Sequence, residues 1–120
     1  MKIEVSNAEI ADKVSILEIK LRNAFEDVRQ NLNNELDMIL PIFKDLNIPD
    51  DLYEALTSVN ESIWVVEDKI RKKELKKEFD NEFIQLARAV YILNDERALL
   101  KKQINIISKS FIIEEKLYGK

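Results

Sequence analysis

The sequence predicts an all-α fold, an antiparallel helical bundle of about four helices whose C-terminal half is two long helices. Three observations carry that reading. Apolar residues recur at steps of three and four along most of the chain, which lines them up on one face of a helix. Capping residues stand where those series begin. The composition, 46% hydrophobic and 35% charged, fits a charge-studded helical protein. No repeat, linker or low-complexity stretch divides residues 1–120, so a single helical domain is expected.

The chain opens with Ile3 and Val5 in an extended stretch. Ser6-Asn7-Ala8-Glu9 then forms a capping box, in which a serine oxygen and a glutamate carboxylate occupy helix N–H groups that lack partners. A helix is expected from Asn7, with Ile10, Val14, Leu17 and Leu21 on its face, widened by Ile16 and Ile19. A second series, Val28, Leu32, Leu36, Ile39 and Phe43, falls one position out of phase. The slip predicts a bend between Asn23 and Asp27, one continuous helix being the alternative. Pro41 lacks an N–H and should kink or end this element.

Ile48-Pro49-Asp50-Asp51 reads as a loop delivering a helix start, with Pro49 as the boundary. Leu52, Leu56, Val59, Ile63, Val66 and Ile70 follow in helical rhythm. That helix should end near Leu75, where Lys69, Arg71, Lys72, Lys73, Lys76 and Lys77 suit the negative end of the helix dipole. A turn at Lys77 to Asp80 then folds it against a last long helix, Asp80 to about Ser108, striped by Phe83, Leu86, Val90, Leu93, Leu100, Ile104 and Ile107. Roughly 27 residues at about 1.5 Å each make a rod near 40 Å long. The tail after Ser110 should dock on the helices, and a minor extended pairing of the termini, through Ile3 and Val5, is open to it.

The composition excludes much chemistry. Without histidine or cysteine there is no Ser-His or Cys-His nucleophile, no zinc site of the Cys/His type and no redox thiol. A single glycine, Gly119, cannot build a phosphate-cradling loop. No cofactor is expected. Metal binding would have to use carboxylates. Glu9-x-x-Asp12 has the spacing of paired magnesium-binding carboxylates, but the second acidic pair that such a site needs is represented only by mixed candidates such as Asp51-x-x-Glu54, and no metal site is expected. No apolar run is long enough to cross a bilayer. The N-terminus lacks a signal-peptide apolar core, so a cytoplasmic location is the expectation.

The candidate ligand-binding residues are Asp12, Lys13, Arg88, Asn94, Asp95 and Arg97. Arg97 is the most informative, because it interrupts the apolar stripe of the last helix. A guanidinium there needs a carboxylate partner, a water-filled cleft or a route to solvent. The structural reading pairs it with an acid on the first helix, such as Asp12 or Glu18. The functional reading uses its planar fork for a carboxylate or phosphate ligand. Lys13 beside Asp12 reads most simply as a solvated flank. The lysine cluster 69–77 is interrupted by Glu74 and Glu78, carries no alternating aromatics and reads as a solvated helix end. Trp64 and Tyr53 are explained by core packing, with a protein interface as the alternative.

Three segments, MKIEVSNAEIADKVSILEIKL, EFIQLARAVYILNDERALLKKQIN and IIEEKLY, resemble an uncharacterised family of small bacterial and phage proteins. The matching polar positions are Ser6, Glu9, Asp12, Lys13, Glu18, Lys20, Arg88, Asn94, Asp95, Arg97, Glu114 and Glu115. The resemblance implies a predominantly helical protein without an assigned activity. It also implies, for some relatives, a place beside or fused to proteins of surface-polysaccharide synthesis. This chain differs in having Ala8 where the family commonly has glycine, and in lacking a proline-bearing break after the first helix.

Three functions follow in order. The first is a non-catalytic helical module for self-association or a protein partner, since apolar stripes abound and no catalytic constellation is complete. The second is a small anion-binding protein, or an enzyme of the all-helical chorismate-mutase kind, which clamps a small anionic ligand with Lys13, Lys20, Arg88 and Arg97, and with Gln85 or Asn94 as a donor. The third is a nucleic-acid-associated protein, disfavoured by a net charge of −4.

Overall fold

The computed structural model describes residues 1–119. Four helices follow one another along the chain: α1 (Asn7–Asn23), α2 (Glu26–Asp45), α3 (Asp50–Lys76) and α4 (Asn81–Ile107). The fold is all-α, and there is no strand among the described residues.

α1 starts as the capping box requires, with Ser6 in extended backbone and its Oγ accepting from the Glu9 N–H at 3.1 Å. The reciprocal half is not made. The Glu9 carboxylate reaches Lys101 of α4 instead, at 2.8 Å. The phase slip after Leu21 corresponds to a full reversal rather than a bend. Ala24 and Phe25 are extended, and α2 runs back along α1. Lys13–Glu35 and Arg29 to the Leu21 carbonyl pair the two helices antiparallel.

Pro41 does not end α2, which continues to Asp45. The carbonyl that loses its partner belongs to Asp37, and both residues are exposed, so water can take up the bond that proline cannot make. α3 begins one residue after Pro49, with no side-chain cap, and ends at Lys76. Lys73 ties the following turn by ion pairs to Asp80 (2.9 Å), Glu78 (3.3 Å) and Glu82 (3.4 Å). Asp80 in turn caps α4 by accepting from the Phe83 N–H. The hydrogen bond to Asp80 holds the Lys73 ammonium above its ordinary pKa, and the same bond holds the Asp80 carboxyl below its own.

α1 is the pivot: it packs on α2, on α3 and on α4, while α3 and α4 form the expected antiparallel hairpin. At 17 residues against 27, α1 covers only the proximal part of that hairpin. The core is accordingly small and local: Ala8, Ala11, Ile48, Leu56 and Ile104 form one cluster, with Phe43, Leu46, Leu52, Tyr53 and Leu100 against it, and Val14, Leu17 and Ile19 continue the buried face of α1. Farther out, Phe83, Leu86, Val90 and Leu93 are only half-buried, and at the opposite end of α4 Ile107 is exposed. The radius of gyration is 16.2 Å, where a compact chain of this length has about 13.6 Å.

The termini do not pair as strands. Instead, side chains from the end of α4 and the turn after it close on the start of α1, and the tail runs back along α4 through Glu114, Glu115 and Lys116.

Candidate functional site

Two polar clusters sit where α1 meets the hairpin. In the first, Asp12 is buried between Ala11 and Lys13, because α1 turns that position toward α4. Its Oδ1 accepts from Arg97 Nε at 3.0 Å and from Asn60 Nδ2 at 3.0 Å. Its Oδ2 accepts from Arg97 Nη2, and Lys101 Nζ lies 3.8 Å away. Asn60 also donates to Ser15 Oγ. A buried carboxylate is tolerable only when paired and hydrogen-bonded, and here both oxygens are filled. Hydrogen bonding to Asp12 also holds the Arg97 pKa above its ordinary value, against the effect of burial.

Of the two acids weighed for Arg97, Asp12 takes it, while Glu18 accepts from the Tyr53 hydroxyl at 3.1 Å. Burial and then the Glu18 charge raise the Tyr53 pKa. Tyr53 packs against Phe43 with ring centroids 4.9 Å apart and the rings tilted by 48°, as core packing requires.

The remaining candidates separate. Asn94 joins the pair loosely, its Oδ1 3.5 Å from Arg97 Nη1 while its amide donates to the Val90 carbonyl. Lys13 is exposed and paired with Glu35. Asp95 accepts from Lys116 of the tail, and Arg88 is exposed on α4. The cations of the clamp do not converge: Lys20 lines a cleft with Phe25, Val28 and Trp64, and Arg97 lines a different one. The latter, about 660 Å³, lies between α1 and α3, with Ile16, Ile19, Ile63 and Trp64 as its apolar wall. Glu9 and Asp12 meet cations rather than a second acidic pair, and no group of three potential metal ligands occurs among the described residues.

The second cluster was not foreseen. The first three N–H groups of α1, which no helix can satisfy internally, each meet a side-chain oxygen. Asn7 N–H donates to Ser110 Oγ (3.0 Å), Ala8 N–H to Asn105 Oδ1 (2.8 Å) and Glu9 N–H to Ser6 Oγ. Asn105 Nδ2 passes on to Glu114 Oε1 at 3.2 Å. Burial works against the Glu114 charge, but hydrogen bonds from Ser6 and Asn105 outweigh it and hold that carboxyl below the usual range. The available signal was position: Asn60 and Asn105 flank apolar stripe residues, where an amide must find partners inside the fold.

Asn105→Ala is expected to cost about 1–3 kcal/mol, because it strands the buried Ala8 N–H. Urea denaturation measures it. A loss no greater than that of an exposed substitution, within about 0.5 kcal/mol, would remove the cluster from the stabilising contacts.

The profile of DUF6165, a family of unknown function, matches residues 1–120. The chain belongs to that family. No curated protein and no solved structure matches it significantly. As a DUF6165 member, the chain inherits no assigned chemistry. No helix among the described residues is long and apolar enough to cross a membrane.

Proposed function

We propose that this DUF6165 chain is a non-catalytic self-association module, with the outward face of α4 as its contact surface. One contrast carries the reading. On α3 the exposed residues are mostly polar, Ser58, Glu61, Asp68, Lys72 and Lys76 among them, with Trp64, Val65 and Leu75 as the apolar exceptions. On α4 one face carries Ile84, Tyr91, Ile92, Leu99 and Ile106, exposed by 44–60%. Scattered apolar residues on a surface need no explanation, but a row of five along one helix face does.

The area agrees. The chain exposes 8704 Å², whereas a compact monomer of 14.1 kDa exposes about 6,700 Å². The excess is on the scale that a specific dimer needs, roughly 800 Å² or more from each partner. The anion-clamp alternative draws less support, since the bidentate face of Arg97 is already spent on Asp12 and the other cations lie elsewhere.

Light scattering over a concentration series tests the proposal. A mass that rises to twice 14.1 kDa is the expected result. A strictly monomeric protein at high concentration would overturn it.

A further inference from the structure

Resting on that reading, we infer that two copies pair through α4 in an antiparallel, two-fold arrangement whose register sets Arg88 of each against the partner's Asp95. The apolar stripe is interrupted by three charges on the same face, Arg88, Asp95 and Lys102, seven residues apart. Their alternating signs select among the ways that two identical helices can meet.

A parallel pairing in register puts Arg88 on Arg88, Asp95 on Asp95 and Lys102 on Lys102. Like charges held together disfavour it. In an antiparallel two-fold pairing, residue i faces residue j and j faces i. Centring the axis on Asp95 opposes the two acids and sets Arg88 against Lys102. Centring it on Arg88 opposes the two arginines. Centring it between Tyr91 and Ile92 removes every such conflict. Arg88 then faces Asp95 twice, Ile84 faces Leu99 twice, and the Tyr91 and Ile92 pairs meet at the axis.

A register that pairs Lys102 with Asp95 also matches charge, and each register leaves one apolar residue beyond the partner helix, Ile106 in the first and Ile84 in the second, so the choice falls to the charges left without partners. The second is less needed. Lys102 already has Glu115 at 2.9 Å. The ion-paired arginines are Arg22, Arg71 and Arg97, and Arg88 has no such partner among the described residues. Asp95 binds Lys116 through one oxygen and keeps the other for Arg88; Lys116 and Tyr118 of the tail border the contact, lining one cavity with Asp95 and Leu99.

The absence of cysteine makes the test clean. Ile92→Cys places two thiols next to the axis, whereas Ile84→Cys places them 15 residues apart along the pair, about 22 Å. A short bis-maleimide is expected to link the first variant and not the second; linkage of both, or of Ile84→Cys alone, overturns the register. In parallel, Arg88→Asp and Asp95→Arg should each weaken the dimer by about tenfold, and the double exchange should restore it.

A dimeric wild type whose charge exchange shows no rescue overturns this inference while leaving self-association standing. A wild type that stays monomeric overturns both.

Discussion

Arg97→Leu is expected to lower the stability of the protein by about 3–5 kcal/mol, the cost of stripping the partner from a buried charge. The effect should be asymmetric. The Asp12 side chain is 2% exposed and Arg97 28%, so Asp12 left alone has no route to solvent. Arg97 left alone can lift its guanidinium into the adjoining cleft. Asp12→Ala should therefore cost less, about 1–3 kcal/mol, chiefly through the Asn60 amide and the packing it loses. Combining Asp12→Leu with Arg97→Leu should recover much of the loss, because an apolar pair of similar volume carries no desolvation penalty. Chemical denaturation of the single and double variants measures all three. A double variant as unstable as the sum of the singles would show that the two residues act independently.

Leu56→Ala should be comparably damaging, at about 3–5 kcal/mol. Leu56 is fully buried in a cluster to which α1 contributes two alanines, Ala8 and Ala11, its larger buried residues Val14, Leu17 and Ile19 lying farther along the helix. Those small residues let α3 approach closely, so Leu56 and Ile104 supply most of the volume at the three-helix junction. Neighbours that are already alanine cannot move in to fill the hole. A domain of 120 residues has roughly 6–18 kcal/mol in total, so this one substitution takes a large share. Leu75→Ala, at a position 83% exposed, should change stability by less than about 0.5 kcal/mol. Thermal melts at matched concentration separate the two. Similar losses would mean that the hairpin's outer half is covered in solution in a way that involves Leu75.

Those two leucines also show how far the sequence could be read. Leu56 belongs to the helical stripe and Leu75 marks where that helix was expected to end, one residue before its last, Lys76; both signals come from local geometry, so helix positions and ends were legible to within a few residues. Ser6, Asp80 and Pro49 marked starts because capping and proline sterics act over three or four residues. Which apolar stripe becomes core is decided by the length of α1, which covers Leu56 and Ile104 but stops short of Leu86 and Val90. No local pattern encodes that overlap.

The pairing of Arg97 with an acid on the first helix was also legible, since a cation in an apolar stripe demands a counter-charge. The choice of Asp12 over Glu18 required the crossing of α1 over the hairpin, and the roles of Asn60 and Asn105 required knowing which elements face them. Of the two outcomes expected at Pro41, it did not end the helix, because the carbonyl it leaves unpaired, on Asp37, faces water.

The contacts that finish α1 have a consequence in time. The N–H groups of Asn7 and Ala8 wait for Ser110 and Asn105, 103 and 97 residues later, and Asp12 waits for Arg97, 85 residues later. At about 5–20 residues per second on the ribosome, α1 emerges roughly 5 to 20 seconds before the side chains that complete its first turn. Until then the nascent chain holds an acid without its arginine and a helix start without its full cap. The fold is thus sealed by residues at the end of α4, and a ribosome that stops short of Asn105 releases a chain whose first helix keeps only its Ser6 cap.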